Sequence, residues 1–87
     1  MYYVYILYSL SDKKFYTGFT ENVAARVKDH NAGKNISTRN RRPLKLLYYE
    51  YHLSKTDALR REKYFKQTRG KTTIKRILRH SLTVPPL

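Results

Sequence analysis

Five residues of this 87-residue chain are of types that do chemistry and recur at spacings that turn them toward apolar faces. Glu62 follows Ala58 by four residues and precedes Phe65 by three, so a helix would aim its carboxylate along with those apolar side chains. Arg26 and His30 are i,i+4 neighbours beside the stripe Val23, Ala24 and Val27, which places an arginine and a histidine along a buried face. Tyr5 and Tyr16 lie in two aromatic stretches, "YYVYILY" and "FYTGFT", and Gly18 interrupts the second. Glycine weakens a strand by about 0.5–1 kcal/mol relative to alanine, so Gly18 asks for a reason. An inward carboxylate can form a structural salt bridge, with Arg26 for example, or serve a hard divalent ion. An arginine presents a planar fork to phosphate, and a histidine can move a proton near neutral pH. Tyrosines taken singly are more often core aromatics whose hydroxyls are satisfied at an edge.

The elements that must position these residues can be read from the pattern. "YYVYILY" is a continuous aromatic and branched run, which suits a central strand covered on both faces. "SLSDKK" supplies turn residues, so residues 2–20 read as a β-hairpin. Pairing Tyr8 with Lys13 around a four-residue loop would set Tyr5 directly opposite Tyr16, whereas a slip of one residue would put them on opposite faces. Thr20 is a candidate cap for a helix over about 21–31, with Gly33 just past its end. The basic stretch "GKNISTRNRRP" (33–43) reads equally as a solvated connection or a phosphate-contacting arm. A third strand over 44–52 would carry Leu44, Leu46 and Tyr48 on one face and Leu47, Tyr49 and Tyr51 on the other. Ser54 or Thr56 would cap a helix running to about Arg69, with stripe Ala58, Leu59 and Phe65 and Gly70 after it. A last helix over about 72–81 would turn Ile74, Ile77 and Leu78 inward. The expected order is β-β-α-β-α-α, an α+β (α/β sandwich) fold with a small three-stranded antiparallel-type sheet. One domain spans 1–82, and 83–87 is a flexible C-terminal tail.

Composition narrows the partners. There are 19 Lys and Arg against 6 Asp and Glu, a formal charge of +13, which suits nucleic acid and less readily an anionic membrane. With no cysteine, disulfides and Cys-based zinc sites are excluded. His30, His52 and His80 are too dispersed for a local metal motif. No apolar run approaches the roughly 20 residues a membrane helix needs, and no leader pattern precedes "YYVYILYSL", so a cytoplasmic protein is expected.

Together these residues resemble the GIY-YIG nuclease superfamily, most of all its small stand-alone bacterial members. Tyr3-Val4-Tyr5 and Tyr16-Thr17-Gly18 look like the two signature triplets, with Tyr3 for Gly and Thr17 for Ile. Arg26 matches the helix arginine, His30 a histidine one turn on, and Glu62 within "LRREK" the metal-binding glutamate; the motifs cover residues 2–66. The resemblance implies hydrolysis of nucleic-acid phosphodiesters, those of DNA in repair or recombination, nonspecifically or by structure, with one Mg²⁺ or Mn²⁺ on Glu62. It implies Tyr5 as acceptor of the attacking water's proton, with a neighbouring cation or metal stabilising the phenolate. Tyr16 would position that water or a phosphate oxygen, Arg26 would stabilise the transition state, and His30 would assist proton transfer. Gly18 would leave a clearing for a phosphate or a metal-bound water. Lys34, Arg39, Arg41, Arg42, Arg61 and Lys66 would form the electrostatic footprint that positions a backbone. The alternative is a noncatalytic nucleic-acid-binding module of the same fold.

Overall fold

The computed structural model describes residues 1–83; the remainder of the expected tail, 84–87, lies outside the described residues. Strand β1 (Tyr2–Ser9) is the centre of a three-stranded antiparallel sheet of order β2-β1-β3, flanked by β2 (Phe15–Thr20) and β3 (Leu44–His52). Helices α1 (Val23–Asn31), α2 (Lys55–Phe65) and α3 (Thr68–Ile77) complete the expected β-β-α-β-α-α order. The aromatic and branched residues of β1 favour a pleated strand, and both of its faces are covered. Val4 and Ile6 join Ala58, Phe65, Ile74 and Leu78 in the core beneath α2 and α3. Tyr5 and Leu7 join Leu44 in a smaller core, against which Tyr16, Val27 and Leu46 pack on the α1 side.

The hairpin register differs from the expected one by two residues. Tyr5 pairs with Gly18, and Leu7 with Tyr16. The four-residue loop spans 10–13, with the Ser9 amide bonded to the Lys14 carbonyl at 3.0 Å. Ser9 fixes it there: its buried hydroxyl accepts the amides of Ser11 and Asp12 and donates to the Arg41 carbonyl. Lys13 takes a left-handed φ of 61° to close the turn. An even shift preserves facing, so Tyr5 and Tyr16 still share one side of the sheet.

Strand β3 has the expected bounds but not the expected alternation. Ile6 pairs with Tyr48 and Leu7 with Leu46, so the register shifts and Leu47 is the extra residue of a bulge. Leu44 and Leu46 therefore face α1, while Leu47 and Tyr48 both pack toward α2 and α3. Beyond the bulge, Glu50 accepts hydrogen bonds from Tyr48 Oη and from Nε and Nη2 of Arg61. These bonds tie α2 to β3, and the Arg61 guanidinium also lies 4.2 Å from the Phe65 ring centroid on its own helix. Burial pulls the Glu50 pKa up, but hydrogen bonds from Arg61, Tyr48 and His52 outweigh it and hold the carboxylate below its ordinary range.

The helices depart from the sequence reading at their ends. Thr20 stays in β2, where its hydroxyl accepts the Asn22 amide, and Asn22 caps α1 by accepting the Ala25 amide. Ser54 caps α2 as expected. The single helix expected to reach Arg69 instead ends at Phe65, because Gln67 is extended and a new helix begins. Leu59 and Ile77, expected inward, are 42% and 41% exposed. In α1, Ala24 is exposed as well.

Gly70 explains the break. It lies inside α3, not after α2, and a Cβ there would collide with the Tyr64 carbonyl and the Phe65 backbone. The two helices approach backbone to backbone, which only glycine permits. In an open helix, Gly→Ala would stabilise by about 1 kcal/mol. Here Gly70→Ala should reverse the sign and destabilise by about 1–3 kcal/mol through overpacking, measured as a lowered urea midpoint.

Candidate active site

Gly18 and Tyr5 form the base of the site. Because Gly18 is directly opposite Tyr5, the tyrosine ring leans across the strand into the space a side chain would fill. A Cβ on Gly18 would overlap Cζ and Oη of Tyr5. The clearing expected to admit a phosphate or water is thus filled by the phenol itself. The glycine serves the tyrosine's placement.

The Tyr5 hydroxyl reaches α1. Its oxygen lies 2.8 Å from His30 Nε2, and His30 Nδ1 lies 2.7 Å from Oγ1 of Thr38. Tyr5, His30 and Thr38 are 1%, 0% and 0% exposed, so the chain of hydrogen bonds is shielded from bulk solvent. With the ring proton on Nδ1, His30 donates to Thr38 and accepts from Tyr5. Burial first, and then the Arg26 charge, lower the His30 pKa, with Asp29 opposing, so the imidazole is held neutral. Tyr16 packs edge-on to His30 at 5.0 Å between ring centroids and lies 6.4 Å from Tyr5.

Burial, then Tyr16, and more weakly Glu62 raise the Tyr5 pKa, and Arg26 only partly opposes them. Burial thus favours the neutral phenol, and the Arg26 charge works toward the phenolate. The same influences show that Arg26 and Glu62 both act on the Tyr5 hydroxyl from opposite signs. Arg26 is exposed on α1. Glu62 is partly buried on α2 and pairs with Lys66 at 3.2 Å, not with Arg26. Contacts thus join Tyr5, Tyr16 and His30 on the α1 side of the sheet, while Arg26 on α1 and Glu62 on α2 reach the Tyr5 hydroxyl through their charges.

A divalent ion would find one hard ligand here. Among the described residues no group of three or more His, Cys, Asp or Glu could cage a metal. Mg²⁺ commonly takes one or two carboxylates and fills its remaining positions with water and substrate phosphate. The Glu62 carboxylate, partly exposed on α2, fits that mode.

The predicted footprint divides. Arg61 is committed to Glu50, and Arg41 pairs with Asp12 and donates to the Phe15 carbonyl, holding the loop against the hairpin. Arg39 Nε donates to the Gly33 carbonyl, and Arg42 Nε to the Arg39 carbonyl. Lys34 is exposed near Asp29 at 3.8 Å, and Lys66 holds Glu62. The 33–43 stretch is an ordered wall that buries Thr38 against His30 and leaves Lys34, Arg39 and Arg42 exposed. Asn31 fastens its far end, with its side-chain amide accepting the Leu44 amide and donating to the Leu44 carbonyl. Thr38 and Asn31 escaped the sequence reading because both act over long range from a polar context that resembles solvated loop.

A family model described as the GIY-YIG catalytic domain matches residues 1–75. The UPF0213 protein of Staphylococcus haemolyticus is 51% identical over 61 residues, 69% of this chain and 73% of that protein. The UPF0213 protein of Limosilactobacillus reuteri is 42% identical over 84 residues, 93% of this chain and 86% of that one. The solution NMR structure of a UPF0213 protein from Bacillus halodurans, 37% identical, superposes with a TM-score of 0.53 over 99% of this chain and 89% of its own.

Two outcomes follow from the packing. Gly18→Ala should displace the Tyr5 ring and destabilise the fold by about 1–3 kcal/mol, read as a shifted unfolding midpoint. The His30 pKa is lower folded than unfolded, so the unfolded state binds more protons and stability falls with acidification. The loss should set in as pH drops through about 6.5, the unfolded value, and level off below the folded pKa. His30→Gln should flatten urea midpoints across that window.

Proposed function

The chain belongs to the GIY-YIG catalytic-domain family, and we propose that it is a divalent-metal-dependent cytoplasmic endonuclease that hydrolyses DNA phosphodiester bonds. Membership points to nuclease-type chemistry on nucleic acid. The finer reading rests chiefly on one observation: a buried histidine lies 2.8 Å from the Tyr5 hydroxyl, with the Tyr16 ring packed edge-on against it.

The residues divide the work as follows. A lone phenolate is disfavoured at this position, so Tyr5 serves as a relay. It takes the attacking water's proton while passing its own to His30 Nε2, and the neutral imidazole becomes imidazolium. Thr38 holds the ring so that Nε2 faces Tyr5. Tyr16, at the mouth, orients the water or a phosphate oxygen. Arg26, charged at any relevant pH, presents its fork to the phosphate and stabilises the charge that develops there. Glu62 would hold the divalent ion, which polarises the phosphate and stabilises the departing oxygen when bound. Until then Lys66 holds Glu62 in an ion pair.

The decisive assay incubates the protein with single-stranded, nicked and branched DNA in Mg²⁺, Mn²⁺ or EDTA. Cleavage should require metal, and Glu62→Gln should reduce it by on the order of 10²–10³-fold with DNA binding retained. Cleavage that persists unchanged in the variant would sink this mechanism. Binding by the wild type with no cleavage of any substrate would favour the noncatalytic module.

A further inference from the structure

A groove of about 500 Å³ opens beside the site between the β-hairpin and α3. Five lysines line it: Lys13 and Lys14 from the hairpin turn, Lys66 at the end of α2, and Lys71 and Lys75 one turn apart on α3. Its lining, among the described residues, includes no carboxylate. Phe15, Phe65 and Ile74 contribute an apolar floor, and Tyr16 belongs to both groove and site. Lys66 also connects them through its hydrogen bond to Glu62.

Such a concentration of ammonium groups needs a polyanion. The sequence offered no sign of it, because the lysines come from three separate segments and their neighbours on α3, Arg76 and Arg79, are equally basic. Folding selects Lys71 and Lys75, i,i+4 on the side of α3 that also carries the buried Ile74. Long lysine stems can lie along the apolar floor while their heads line the rim.

We propose that this groove is the track for the nucleic-acid backbone flanking the cleaved phosphate, with Lys13, Lys14, Lys71 and Lys75 as its phosphate contacts. The assignment rests on the reading that the site acts on nucleic acid. Tyr16 in its lining and the hydrogen bond from Lys66 to Glu62 distinguish it from the cationic surface elsewhere. Ammonium contacts of this kind hold register without reading sequence.

Binding of a fluorescent oligonucleotide, single-stranded in one arm and duplex in the other, tests it in EDTA over a series of salt concentrations. The protein carries Glu62→Gln throughout, so that cleavage does not enter. Adding Lys71→Gln and Lys75→Gln should weaken binding at least about tenfold and make the log–log salt dependence shallower by about two, one per lost phosphate contact. Lys71→Arg with Lys75→Arg should retain both. The control pair is Arg60→Gln with Lys63→Gln, from a separate depression that also contains His52 and Tyr64. Equal losses from the two pairs, or an unchanged salt slope in the groove pair, would overturn the assignment. All four positions are exposed, and unchanged thermal midpoints establish that folding is intact. Cleavage failure with this binding pattern intact would count against the nuclease reading alone.

Discussion

The contact on which the molecule turns is the buried bond between the Tyr5 hydroxyl and His30. It joins the central strand to α1, and through Thr38 it extends to the basic loop. A polar group taken out of water costs free energy unless it is paired, so each of the three fixes the positions of the others. Gly18 must be bare for the ring to lean across. Ser9 must set the hairpin so that Gly18 is the residue opposite. The loop must fold inward to deliver Thr38, which Arg41 and Asn31 enforce from either side. One hydrogen-bond chain thereby dictates features in every element of that face.

The two faces of the sheet have divided their tasks. Beneath α2 and α3 the core is apolar and continuous, closed by helices that touch backbone to backbone at Gly70. Beneath α1 the apolar cluster is small, and a histidine occupies what would be core space. A polar site weakens the side that contains it, so stability must come from the other. The Glu50–Arg61 clamp and the stacked Arg61 guanidinium belong to that sturdier side. Basic residues that would pass for surface charge in the sequence thus serve the fold.

The fold was largely legible because β1 announces itself. An aromatic and branched run of that length has few roles other than a strand covered twice, and the strand bounds of β3 and the cap at Ser54 followed from equally local signals. The resemblance of ordered motifs supplied the site's membership. What stayed hidden was set by contacts between distant segments. The hairpin register depended on Ser9 bonding to Arg41, a residue 32 positions away. The bulge at Leu47 broke an alternation that the sequence displays without interruption. Gly70 looked like a stop signal because its real cause, the Tyr64 carbonyl, is visible only once α3 has folded back. Gly18 was recognised as significant, but the space it opens belongs to Tyr5.

The charge balance ties the site to its surroundings. Of the 6 acidic residues, Asp12, Asp29, Glu50 and Glu62 each hold a cation in an ion pair. Three of those pairs fasten elements or loop ends, while Glu62 alone stands at the site. The cations left over repel one another, and that repulsion weakens the compact state unless an opposite charge relieves it. A polyanion bound along the lysine groove would relieve it where five ammonium groups are concentrated. The surplus positive charge and the carboxylate of Glu62 thus meet at one residue, because Lys66 both lines the groove and holds Glu62 in an ion pair.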